Sequence, residues 1–112
     1  MALLEVDTHE ENGTIRVALV GELDISSAPR VEEEIERLEA SKPAVLVLDL
    51  RGLAFMDSTG LRLIVGADAR AREQGRRLAI VRGPEVVHRI FTVTRLEERL
   101  EMVNDPAGLA TA

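Results

Sequence analysis

Seven consecutive residues, Phe55, Met56, Asp57, Ser58, Thr59, Gly60 and Leu61, set a hydroxyl between an acid and a glycine, where an apolar run gives way to an amphipathic one. A serine acts as a nucleophile only when a base takes its proton and donors hold the oxyanion that forms. The chain offers Ser58 neither. Its two histidines, His9 and His88, fall in an early alternating segment and a late helical one, and no G-x-S-x-G elbow surrounds the serine. Nor is there a G-x-x-x-x-G-K loop followed by Ser or Thr to cradle a nucleotide phosphate. Residues 44–50 (AVLVLDL) suit a strand buried on both faces, and Leu61, Leu63, Ile64, Ala67 and Ala71 recur at helical spacing, so Asp57 or Ser58 falls where a helix cap is expected. A hydroxyl there lies on the rim of the fold, open to another protein, and a phosphate on it meets the positive end of the helix dipole.

The simplest role for a serine at a helix start is capping, which stabilises by about 1 kcal/mol. Two features point past it. Asp57 and Thr59 are also able to cap, and Gly60, inside the helix, costs about 1 kcal/mol relative to alanine without any evident packing return. Bare backbone at Gly60 is useful if a partner must come close. Leu61 and Val65, at the edge of the apolar helix face, are further candidate contacts.

The elements that hold Ser58 in place follow from periodicity. Leu4, Val6 and Thr8 alternate with Glu5 and Asp7, and Ile15, Val17 and Leu19 alternate after an Asn12-Gly13 turn signal, which predicts a β-hairpin. Ser27 precedes Ala28 and Pro29, and Val31, Ile35 and Leu38 align over three turns, predicting a first helix capped by Ser27. The charged run at residues 32–36 is the solvated side of that helix. Pro43 punctuates before the buried strand, and a central helix runs over residues 58–73 until Gly75 ends it. A strand at residues 78–81, a Gly83-Pro84 turn and a helix with Val87, Ile90 and Phe91 on one face come next. Residues 95–103 fit a helix through Leu96, Leu100 and Val103, and equally a short strand from residue 100. Asp105 and Pro106 are placed to open a final helix, with six residues left after Pro106.

Bulk properties exclude several classes. A length of 112 residues predicts one domain spanning residues 1–112, with a core that needs no staples. A net charge of −6, a single lysine (Lys42) and only Phe55 and Phe91 as aromatics disfavour nucleic acid, whose phosphates need cations and whose bases need stacking surfaces. The absence of cysteine excludes disulfides and thiolate metal sites, and His9 and His88 bring no ligand cluster, so neither metal nor cofactor is expected. No segment reaches the about 20 apolar residues of a membrane span, and residues 1–8 lack the basic start of a signal peptide. A cytoplasmic protein without direct membrane insertion is expected. Asp49, at the end of an apolar strand, superficially fits the acceptor aspartate of a receiver domain. Such domains resemble a doubly wound sheet with an acidic pair after the first strand and a late lysine, whereas here the first strand leads into a hairpin and Lys42 is the lone lysine.

The serine motif, together with Gly21, Glu22, Leu23 and Asp24 ahead of the first helix, resembles the STAS domain of anti-sigma factor antagonists over most of the chain. The resemblance implies an α/β fold with element order ββαβαβαβ: a mixed sheet, a last strand after residue 95, and helices packed largely on one face. The hairpin supplies antiparallel pairing and each β-α-β unit crosses over right-handedly. The C-terminal tail is shorter than the family usually has. In that family the serine after the aspartate of the Asp-Ser-Ser/Thr-Gly-Leu motif is phosphorylated by an anti-sigma factor that is also a protein kinase, which maps to Ser58. The implied protein is not an enzyme but a partner-switching regulator in bacterial transcription. Unmodified, it binds an anti-sigma factor serine kinase through Asp24, Asp57, Ser58, Thr59, Gly60 and Leu61. Phosphorylation of Ser58 inactivates it and a serine phosphatase restores it. Two other roles of the same domain compete, as a scaffold subunit of a stress-signalling complex or an accessory subunit of a membrane transporter.

Overall fold

The computed structural model describes residues 3–109. Strands β1 (Leu4–Glu11) and β2 (Thr14–Leu23) form the expected hairpin. Asn12 (φ 51°) and Gly13 (φ 80°) both take left-handed backbone, as the favoured two-residue hairpin turn requires. Helix α1 (Ala28–Glu39), strand β3 (Val45–Met56), helix α2 (Ser58–Glu73), strand β4 (Arg77–Val81), helix α3 (Glu85–Val93) and strand β5 (Glu101–Val103) come next in chain order. The sheet order is β1-β2-β3-β4-β5, antiparallel in its first pair and parallel in the other three. The ambiguity at residues 95–103 resolves into both alternatives in miniature. A single 3₁₀ turn covers Leu96–Glu98, Leu100 drops into the core, and β5 pairs with β4. The tail forms a 3₁₀ helix at Pro106–Leu109, and residues 110–112 lie outside the described residues.

One face of the sheet meets all three helices. Val31, Ile35 and Leu38 of α1, Ile64 and Ala67 of α2, and Val87 and Phe91 of α3 pack in one core with Leu46, Leu48 and Leu50 of β3. Between them, Val45 and Val47 point the other way and join Ala79 and Val81 in a second, smaller cluster. This is why residues 44–50 read as an unbroken apolar run. The strand itself is longer than that run. It continues through Arg51 and Gly52 to Met56, because β2 continues beside it: the last β3–β4 pair is Asp49 with Val81, while β2–β3 pairing extends to Leu23 with Met56. Within the sheet, the end of β3 is thus paired to β2 alone.

Ser27 corrects a second expectation. It holds the N-cap position of α1 but caps no helical N–H. Its hydroxyl instead donates to the Glu22 carbonyl at 2.8 Å and accepts from the Asp24 N–H at 3.0 Å, fastening the turn that leaves β2.

Candidate functional site

The turn carrying Ser58 begins where β3 ends. The Asp57 N–H donates to the Leu23 carbonyl at 3.2 Å, tying the end of β3 to the end of β2. Asp57 stays extended (φ −107°, ψ −171°), and its Oδ1 accepts from the N–H groups of Thr59 at 2.9 Å and Gly60 at 3.3 Å. Asp57 is therefore the cap, and Ser58 is the first helical residue, exposed, with no hydrogen-bond partner for its hydroxyl among the described residues. The Asp57 carboxylate is committed to the backbone. Three conditions meet at one oxygen: solvent access, freedom from structural duty, and a place in the first turn of a helix whose N–H groups attract negative charge.

The remaining expected contacts divide. Thr59 is half-buried. Gly60 and Leu61 belong to the core, with Leu61 only 8% exposed. A Cβ on Gly60 would stand 2.7 Å from Met56 Cγ and 2.8 Å from Leu23 Cγ. The glycine lets β2 and β3 close against α2, a packing reason for it that the sequence did not reveal. Leu61 likewise faces inward, into the core shared with β2 and β3.

Asp24 reaches the same edge because Leu23 and Met56 are paired. Its Oδ1 accepts from the Ser26 N–H at 2.9 Å, the Ser26 hydroxyl at 2.6 Å and the Ser27 N–H at 3.2 Å. The Ser26 hydroxyl in particular holds the Asp24 carboxyl below its ordinary value, so it stays charged. Just upstream, Gly21 (φ 119°) passes so close to β1 that a Cβ would stand 2.0 Å from the Leu3 carbonyl oxygen, which fixes glycine at that place in the Gly21-Glu22-Leu23-Asp24 element. The edge is acidic, and a phosphate on Ser58 would add about −1.5 to −2 charge beside Asp57.

Sequence reasoning missed Ile25. It comes directly after Asp24 in the turn, sits outside every periodic pattern, and is 75% exposed. Its only signal is a large aliphatic residue set among Asp24, Ser26 and Ser27.

Elsewhere, Asp49 is 4% exposed and bound by Arg51, through Nε at 3.0 Å and a second nitrogen at 2.8 Å, and by Arg16 at 3.3 Å. It is closed to the receiver chemistry that its position superficially suggested. His88 Nε2 lies 2.9 Å from Glu97 and its ring stacks on Phe91. Among the described residues no group of three or more His, Cys, Asp or Glu could hold a metal ion, and no helix is long and apolar enough to cross a membrane. A cleft of about 320 Å³ lined by His9, Thr14, Arg16, Val47, Arg51 and Asp105 contains none of the Ser58 group.

Known proteins resemble the chain in sequence and in fold. The STAS domain family model matches residues 5–107. The chain is 33% identical over 90 residues to the anti-sigma-B factor antagonist of Listeria monocytogenes, covering 80% of this chain and 79% of that protein. Its fold is similar to that of an anti-sigma factor antagonist from Mycobacterium paratuberculosis, with a TM-score of 0.85 at 21% identity over 96% of this chain and 92% of the other. It is also similar to the Bacillus protein SpoIIAA, solved both unphosphorylated (TM-score 0.79, 18% identity, 94% and 93% covered) and phosphorylated (TM-score 0.73, 17% identity, 94% and 96% covered).

Proposed function

The chain belongs to the STAS domain family, and on that footing we propose that it is an anti-sigma factor antagonist that works by partner switching. The unmodified protein binds an anti-sigma factor through the edge that bears Asp24, Asp57 and Ser58, and so frees a sigma factor for RNA polymerase. The bound partner is a serine kinase that phosphorylates Ser58, and a serine phosphatase removes the phosphate. All of this is cytoplasmic, since the sigma factor acts there, and the chain itself catalyses nothing.

One observation carries the reading: Ser58 stands exposed and unbonded at the start of α2 because Asp57 has taken over the cap. A hydroxyl that held the helix together would be a poor acceptor, because modifying it would unravel the turn. The switch arises from charge. Repulsion between a phosphate and Asp57 is only about 1 kcal/mol at 4 Å in water. A phosphate buried without cations under a docked partner costs several kcal/mol, while tenfold in affinity needs only about 1.4. One modification therefore converts a tight complex into a weak one.

The test uses wild type, Ser58→Ala and Ser58→Asp as bait for cytoplasmic proteins, with ATP then added to the recovered partner. Wild type and Ser58→Ala are expected to retain a kinase that Ser58→Asp loses, and the kinase is expected to add one phosphate to wild type and none to Ser58→Ala. Equal recovery by all three baits favours the scaffold role instead, and recovery of transport subunits favours the accessory role.

A further inference from the structure

Helix α2 carries three arginines, Arg62, Arg70 and Arg72, and two of them have carboxylate partners. Arg70 Nε lies 3.0 Å from Glu39 of α1, and Arg72 Nε lies 2.8 Å from Asp68, four residues before it on the same helix. Arg62 is exposed and pairs with no carboxylate among the described residues. Its helical neighbours explain this. Three and four residues before it stand Thr59 and Ser58, three and four after it Val65 and Gly66, and none of them carries a charge. A guanidinium stays protonated at any physiological pH. Arg62 is therefore a cation toward the end of a helix that favours negative charge, with nothing beside it to offset that placement.

One modification supplies the missing anion. Long side chains on a helix lean toward its N-terminus, so an arginine covers the turn that precedes its own Cα. Helix α2 shows this twice. Arg72 reaches back to Asp68, and Arg70 reaches back over Gly66, where a Cβ would stand 3.5 Å from the Arg70 Nη1. Ser58 stands to Arg62 as Asp68 stands to Arg72, four residues before it, and an anion N-terminal to its cation is the favourable order in a helix. Both residues are exposed, so no packed group has to move for them to meet.

We propose that Arg62 is the intramolecular counter-ion of phosphorylated Ser58, closing on the phosphate across one turn of α2 and staying unpaired while the serine is bare. The proposal rests on the antagonist reading, which makes Ser58 the modified residue. Phosphorylation then repositions two side chains and not one, because a phosphate accepts two parallel N–H bonds from a guanidinium. The pair does not undo the switch. A partner that dries this edge must bury the joined charges or part them, and either costs more than covering a bare hydroxyl.

The experiment uses the full chain with phosphoserine installed at position 58 during synthesis, so that no kinase is needed, in wild-type, Arg62→Gln, Arg62→Lys and Arg95→Gln backgrounds. Phosphorus NMR follows the phosphate through its second ionisation, which lies near about 6 in an unperturbed phosphoserine. Asp57 and Asp24 on the same edge oppose that ionisation and Arg62 favours it. Relative to wild type, Arg62→Gln is expected to raise the midpoint by about 0.3 pH unit or more at low salt, and Arg62→Lys to raise it less. Arg95→Gln, which removes the same charge from the exposed turn after α3, is expected to leave the midpoint within about 0.1 pH unit of wild type. In about 1 M salt the difference between wild type and Arg62→Gln is expected to fade, as for any exposed pair. Without phosphate, wild type and Arg62→Gln are expected to melt together. Equal midpoints in those two phosphoproteins, or an equal rise in Arg95→Gln, overturn the counter-ion. Unequal melts of the unmodified proteins also overturn it, because Arg62 would then have structural duty of its own. A wild-type Ser58 that no serine kinase modifies defeats the antagonist reading, and the installed phosphoserine still decides the pair separately.

Discussion

A free hydroxyl at a helix start is unusual because serine there normally gives its oxygen to the backbone. Ser58 escapes that duty through its neighbour, and the neighbour succeeds because β3 delivers Asp57 in extended conformation, with its N–H already held by Leu23. Two residues further on, Gly60 shows the same dependence on distant partners. Replacing it with alanine gains about 1 kcal/mol of helix propensity on an isolated helix. In this protein the new methyl meets Met56 and Leu23 at under 3 Å, near the middle of both side chains and in a buried setting, and such overpacking costs about 1–3 kcal/mol. Gly60→Ala is therefore expected to destabilise by about 1 kcal/mol or slightly more, read as a lower urea midpoint at unchanged slope. An unchanged or raised midpoint contradicts this account of the glycine. The motif was legible in the sequence as a place. The assignment of cap to Asp57 and not Ser58, and the inward reason for Gly60, were not, because both are fixed by β2, a strand remote in sequence.

At the scale of elements, β3 shows where pattern reading stops. Its first half was plain from an apolar run, but Arg51 and Gly52 resemble an ending, and only the β2 ladder alongside explains why the strand goes on to Met56. The hairpin and the three helices are legible because each rests on local periodicity or turn chemistry, whereas the last strand, left open by the pattern of residues 95–103, follows only from the family resemblance. Asp49 was not understood, because nothing local says that a carboxylate in an apolar run will find Arg16 on the neighbouring strand. Burial pushes the Asp49 carboxyl up, but the Arg51 side-chain and backbone donors, with the charges of Arg51 and Arg16, together outweigh it and leave the group below its ordinary value. A carboxyl lowered in the folded state adds stability that is complete above the unfolded value near about 4 and is lost as pH falls through the lower folded value. Asp49→Asn is thus expected to cost about 1–3 kcal/mol at pH 7, an estimate held down by the half-exposed Arg51. It is also expected to flatten the loss of stability below about pH 4, where the wild-type gain fades. Denaturant melts from pH 7 to pH 2 read both, and an unchanged acid slope in the variant contradicts the role given to the β2–β3 pair.

For the molecule as a whole, the question is whether a charge at Ser58 acts by disturbing the fold or by altering its surface. The first turn of α2 contains no acidic residue, and its last turn carries Arg70 and Arg72, so the helix has room for a negative charge at its start. Such a charge gains about 0.3–1 kcal/mol from the helix dipole, against a repulsion from Asp57 of about 1 kcal/mol or less in water. The two nearly cancel, and the Ser58 hydroxyl gives up no bond on modification. The Ser58 side chain itself is exposed, while its neighbours Met56 and Leu61 stay anchored in the core, so a charge on the hydroxyl displaces no packed side chain. Ser58→Asp, and the phosphorylated protein, are accordingly expected to melt within about 4 °C of wild type. Amide exchange in β3, β4 and α3 is expected to be unchanged, while affinity for the kinase falls by more than about tenfold, the effect of about 1.4 kcal/mol. A fall of about 10 °C or more, or loss of exchange protection across the sheet, would mean that modification inactivates by loosening the domain, and the surface-charge switch would have to be abandoned.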